Sequence, residues 1–159
     1  MKTLIVYYSR SGITRKVAEE LKHNLDCDIE ELIDKKDRSG SLGYMRSVIN
    51  ALRKSPANLE EIKNDPASYD LVIIGTPVWT MKMSTPIRTY IQQNHPKFNN
   101  VAFFATAAGS GFDSTFSEMR ELIGTSLAEI GLRAKEVKDG TYKSMVAEYG
   151  EKIVKYKFK

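Results

Sequence analysis

The sequence predicts a doubly wound α/β fold, with five parallel strands in one sheet and helices on both faces. Apolar runs of strand length, rich in β-branched and aromatic residues, alternate with segments whose apolar residues recur every three or four positions. This alternation repeats five times without an internal repeat or a linker, and 159 residues suit one domain, residues 1–159.

Taken in order, Thr3 to Tyr8 is a continuous apolar run, as a first strand buried on both faces should be. The polar loop Ser9-Arg10-Ser11-Gly12 leads into a helix whose apolar face is Ile13, Val17, Leu21 and Leu25. Ile29, Leu32 and Ile33 mark the second strand, and Leu71 to Gly75 the third. Between these two, Asp34 to Tyr69 is expected to hold a helix around Tyr44, Val48 and Leu52, followed by a Pro-containing return. Ser84-Thr85-Pro86 starts a helix, with a capping hydroxyl and then Pro in the first turn, where its missing N–H costs nothing. Val101 to Thr106 is the fourth strand. Asp113 or Ser114 opens a helix with the face Met119, Leu122, Ile123, Leu127 and Ile130, closed by Gly131. Leu132 to Val137 is then the fifth strand, charged as an edge strand should be. Met145, Tyr149, Ile153 and Tyr156 give a last amphipathic helix.

Composition narrows the function. A lone Cys27 excludes an internal disulfide framework and a Cys-rich zinc site, and two histidines, His23 and His95, make a poor basis for a metal centre. Cys27 reads as a structural thiol. The net charge of +4 is mild, and the densest basic run, Lys152, Lys155, Lys157 and Lys159, reads as a solvated chain end. No aromatic-interleaved basic stripe argues for nucleic acid. No apolar run reaches the ~20 residues of a membrane span, and no small-residue cleavage site follows the first strand. A reduced, cytoplasmic protein is the expectation.

In open α/β sheets, ligands bind at the carboxyl ends of the strands where strand order reverses. Three loops follow such ends here. Ser9-Arg10-Ser11-Gly12-Ile13-Thr14 brings three hydroxyls and a glycine to a helix start, a setting that suits a phosphate dianion. It is neither a Walker A loop nor a dinucleotide fingerprint, so it fits a monophosphate ester, and the plain alternative is a Ser-rich turn with ordinary capping. The second loop, Gly75 to Met83, carries the only Trp of the chain, Trp79, whose flat face could stack on a planar ligand or simply cover the core. The third, Thr106-Ala107-Ala108-Gly109-Ser110-Gly111-Phe112, has small residues that let a ligand approach the backbone. Phe112 offers a second aromatic wall there or packs into the core. A phosphate loop and two aromatic-bearing loops at one sheet edge together describe a planar ring with a phosphorylated tail, and flavin mononucleotide (FMN) fits.

At these residues the chain resembles the flavodoxin-like family of FMN proteins, over nearly its whole length and in the short-chain form. The resemblance implies a flavodoxin-like sheet, non-covalent FMN and a set of cofactor-binding residues. Phosphate contacts fall to Ser9, Ser11, Gly12, Ile13 and Thr14, with Arg10 of the same loop also counted as cofactor-binding. Ring contacts fall to Thr76, Pro77, Val78, Trp79, Thr80 and Met81 on one side, and to Thr106, Ala107, Ala108, Gly109, Gly111 and Phe112 on the other. Ile13 stands where many members have Asn. Thr80-Met81-Lys82 lacks the glycine that electron carriers usually place beside the ring's N5, and the chain is basic where carriers are acidic.

The resemblance implies an electron-transfer protein that takes electrons from a redox partner protein, an iron–sulfur protein being one candidate. The alternative is an NAD(P)H-dependent quinone or flavin reductase on the same scaffold, which the missing glycine and basic charge favour. A third is a flavin-free scaffold that binds partners.

Overall fold

Successive side chains of a strand go to opposite faces, and in the computed structural model of this chain both faces find apolar partners. The structure describes residues 1–36, 40–53 and 56–156. Along these run β1 (Thr3–Tyr7), α1 (Ile13–Leu25), β2 (Asp28–Glu31), α2 (Gly40–Arg53), β3 (Leu71–Trp79), β4 (Lys82–Met83), α3 (Thr85–Asn94), β5 (Val101–Ala107), α4 (Phe112–Ile123), β6 (Glu129–Arg133), α5 (Ala134–Asp139) and α6 (Tyr142–Lys155). The strands lie in the order β2-β1-β3-β5-β6, all parallel, with β4 paired antiparallel to the end of β3. Five parallel strands between two helical layers are the architecture the alternation predicts.

Leu4, Val6, Val72, Ile74, Phe103 and Ala105 face one layer, where Ile87, Tyr90, Ile91, Phe116 and Met119 of α3 and α4 cover them. Ile5, Tyr7, Ile73, Ala102 and Phe104 face the other, under Val17, Leu21, Val146, Tyr149 and Ile153 of α1 and α6. Gly75 of β3 pairs with Phe104 of β5, and a Cβ at Gly75 would overlap the Phe104 ring. That close approach is why a glycine interrupts an otherwise β-branched strand.

Several elements differ from expectation. β2 ends at Glu31; Leu32 still donates its N–H to the Tyr7 carbonyl at 2.7 Å, but Ile33 lies past the strand and is exposed. β3 continues beyond Gly75 to Trp79 and folds back as β4, because Thr80 and Met81 both adopt left-handed φ, 50° and 63°, and form a two-residue turn. α4 begins at Phe112 and stops at Ile123 with Gly124 as its cap, so neither Leu127 nor Ile130 belongs to it. Gly131 closes no helix: it sits within β6, where the Phe112 ring fills the space of a side chain. The strand expected at 132–137 is β6 three to four residues earlier, and 134–139 is the short helix α5. There Glu136 accepts the Arg133 N–H at 2.7 Å and Gly140 caps the far end. Tyr156 lies past α6 and is half exposed. The helix expected around Tyr44, Val48 and Leu52 is α2, although the side chains of Tyr44 and Leu52, like Lys157 and Lys159, lie outside the described residues. Among the described residues no helix is long and apolar enough to cross a membrane.

Candidate functional site

From β1 the chain winds outward to β2 and then returns to β3 on the opposite side of β1. The connections leaving the carboxyl ends of β1 and β3 therefore diverge, which opens a crevice. A cavity of about 300 Å³ lies there, at the small end of the ~300–1,000 Å³ range of ligand pockets. A hollow of about 430 Å³ beside α6 is larger, but Glu148, Glu151, Lys152 and Lys155 of the helix surface line it and no strand-end loop reaches it.

The loop after β1 contributes Arg10, Ser11, Ile13 and Thr14 to the cavity. Its bend is made by Gly12, at φ 91°, immediately before α1. Ser9 Oγ accepts the N–H of Gly12 at 3.1 Å and of Arg15 at 3.2 Å, taking the place of acceptors a helix start lacks. Its own hydroxyl proton stays available to an acceptor in the loop. The N–H groups of Ile13 and Thr14 head α1 without intrahelical acceptors, at the positive end of the helix dipole. The Thr14 and Thr106 hydroxyls meet at 2.8 Å, both buried, and tie this loop to the end of β5.

Behind the loop, Arg15 is committed elsewhere. Its Nη2 and Nε reach the two Glu31 oxygens at 2.6 and 3.1 Å, and the Tyr7 hydroxyl donates to Glu31 Oε2 at 3.2 Å. Burial, and then the Glu31 charge, push the Tyr7 phenol up to about 12. The Arg15 guanidinium is held above its ordinary value by its hydrogen bond to Glu31. The Tyr7 phenol therefore stays neutral and Arg15 charged throughout the neutral range.

The end of β3 contributes Pro77, Val78 and Trp79. The Trp79 ring meets Tyr8 edge to face, centroids 5.6 Å apart at 89°, and the residue is only 6% exposed. The hydroxyl of Thr76 is spent on the chain: it accepts the Ser84 N–H at 2.9 Å, which closes the hairpin base. The end of β5 contributes Thr106, Ala107 and Ala108, the two alanines leaving the backbone approachable.

Ten of the residues singled out from the sequence thus share one cavity. Ser9, Gly12, Thr76, Thr80, Met81, Gly109, Gly111 and Phe112 lie outside its lining and shape the loops. Met81 is exposed at the hairpin tip. The Gly109 carbonyl accepts from Arg133 Nε at 3.2 Å. Phe112 lies on Gly131, away from the cavity. Two lining residues were missed, Ala134 and Lys138 of α5. Their signal was the helix-favouring run Ala134-Lys135-Glu136-Val137-Lys138-Asp139 before Gly140, which places residues 134 and 138 one turn apart. Cys27 is half-buried with its thiol pushed up to about 11 by burial, far from the cavity lining, and both histidines are surface residues. Among the described residues no cluster of His, Cys, Asp or Glu is built to hold a metal.

The lining divides chemically. Hydroxyls, a helix start, Arg10 and Lys138 are its polar and positive members, and Pro77, Val78, Trp79 and the alanines its apolar ones. The donors suit a phosphate monoester and the apolar members suit a flat ring, so the residues present fit a ring-bearing phosphate ester.

No curated protein sequence is similar enough to this chain to count as a relative. Among solved structures, a flavoprotein from Lactobacillus acidophilus NCFM, crystallised in complex with FMN, is 30% identical; the match covers 88% of this chain and 98% of that one, with a TM-score of 0.71. A flavodoxin, WrbA-like protein from Agrobacterium tumefaciens (15% identity, 98% and 99% covered, TM-score 0.61) and oxidised Flavodoxin 1 from Bacillus cereus (13%, 99% and 100%, TM-score 0.55) share the fold. The sequence pattern of the flavodoxin family runs through residues 2–152. Strand order, switch-point cavity and sequence pattern agree, and the chain belongs to the flavodoxin family.

Proposed function

We propose that this chain is a non-covalent FMN protein that transfers electrons. The observation that carries the reading is the convergence of three strand-end loops on one cavity lined by both donors and apolar side chains. Ser11, Thr14 and the first N–H groups of α1 hold the phosphate, and Arg10 and Lys138 supply positive charge nearby. Val78, Trp79, Ala107 and Ala108 enclose the ring and keep water from it. FMN, when bound, supplies reversible electron uptake; the protein supplies binding, orientation and the ring's surroundings. A redox partner protein donates or receives the electrons.

The second reading, an NAD(P)H-dependent reductase on the same scaffold, is favoured by one observation. The hairpin turn beside the apolar wall holds Thr80 and Met81, with no glycine, in left-handed conformations. Residues with a Cβ oppose the φ reversals that a flipping peptide needs, so the turn is less suited to follow one-electron chemistry.

Visible absorbance of the purified protein, with and without added FMN and through stepwise reduction, tests both. Binding of FMN with reduction in two separate one-electron steps is expected. A single two-electron step, with turnover of NAD(P)H on a quinone, would replace the carrier by the reductase. Absence of FMN uptake would overturn both readings.

A further inference from the structure

The cavity wall made by Val78 and Trp79 is not held by its own turn. β4 is two residues long, and a ribbon that short is marginal by itself. Thr80 and Met81 both occupy left-handed backbone that their side chains disfavour. The Thr76 hydroxyl closes the base from within, and a second hold comes from outside the hairpin.

That hold comes from α4. Glu118 Oε2 accepts the Met83 N–H at 3.0 Å, and Oε1 accepts from Arg88 Nη2 at 2.6 Å. The Arg88 side chain is 3% exposed and that of Glu118 11%. Burial strengthens both charge-assisted bonds and leaves the pair few other arrangements. Among the described residues Arg88 Nη1 is buried without a partner, so the guanidinium is oriented through Nη2 on Glu118. The start of the same helix meets the hairpin tip: a Cβ on Gly111 would lie 2.9 Å from Val78 Cγ1 and 3.2 Å from Met81 Sδ. One helix therefore grips the hairpin at base and tip.

We propose that Glu118 is a positioning residue that sets the β3–β4 hairpin against the cavity and so fixes the surroundings of the ring. The part concerning the ring rests on the FMN reading above; the part concerning the hairpin does not. Trp79 is the only tryptophan in the chain, so its fluorescence reports the hairpin in free protein.

The test compares wild type, Glu118→Gln, and Glu118→Leu combined with Arg88→Met. Replacing both charges by apolar side chains of similar size is compatible with a stable fold. The double variant is expected to keep its far-UV circular dichroism and cooperative unfolding. Its Trp79 emission should shift to the red, acrylamide quenching should rise severalfold, and FMN should bind about tenfold more weakly. Glu118→Gln retains an acceptor for the Met83 N–H and should restore emission and quenching close to wild type. If the double variant unfolds, Glu118→Asp decides the question: the charge stays, the carboxylate retreats by one methylene, and raised quenching is expected. Unchanged Trp79 emission and quenching in folded variants would overturn the proposal. If wild type takes up no FMN, the cofactor reading fails, and the tryptophan measurement still decides whether Glu118 sets the hairpin.

Discussion

The loop after β1 and the hairpin after β3 border the same cavity, yet they are stabilised from different distances along the chain. In the first, the bend is Gly12, the acceptor is Ser9 and the helix start is Ile13 to Arg15, all within seven residues. In the second, the turn is unfavourable in itself and is held by Glu118, 35 residues beyond Met83, with Arg88 as its counter-ion. A site can therefore join a self-sufficient loop for one part of a ligand to a dependent one for another. Damage to the first should stay local, whereas damage to the second should reach the core.

The largest way to break this comparison is Arg88→Ala. It leaves the Glu118 carboxylate buried without its cation, and such a loss typically costs about 3–5 kcal/mol. A urea unfolding midpoint lowered to match is expected, and a loss below about 1 kcal/mol would mean that the pair is not what holds the hairpin. Gly12→Ala comes next. An added methyl would meet nothing within 4 Å, so the whole cost is backbone conformation at φ 91°, about 1–2 kcal/mol. Thermal unfolding measures it, and an unshifted midpoint would show that the loop settles into another bend. Met81→Gly sharpens the contrast in the opposite sense. Relieving one left-handed residue at φ 63° should raise stability by about 1 kcal/mol in the same urea assay. A decrease would assign the Met81 side chain a packing role on Gly111 that outweighs the strain.

The same contrast explains what could be read from the amino acids alone. The β1 loop was legible because its determinants are contiguous: Ser9, Ser11, Gly12 and Thr14 announce a donor-rich helix start in six letters. The strands β1, β3 and β5 were legible because a strand buried on both faces must be apolar throughout. The hairpin was not, since Thr80-Met81 carries no Asn-Gly or similar turn signal and its partner lies on another helix. Gly131 misled for a related reason. A glycine after an apolar helical period reads as a cap, and only the fold shows Phe112 occupying the place of its side chain. With the helix drawn too far, the last strand slipped toward residue 137 and hid α5, and with it Lys138.

Phe104 standing over Gly75 acts as an index mark between the two central strands. Sliding β5 by one residue along β3 would bring its alternate side chains to the wrong face, and sliding by two would set the ring against Ile73 or Pro77, which have no gap to receive it. The notch thus admits one alignment, and that alignment sets Thr76 beside Ala105 and Pro77 beside Thr106 at the cavity's edge. A single missing side chain in the interior calibrates how far each strand projects into the site, two residues before either reaches it.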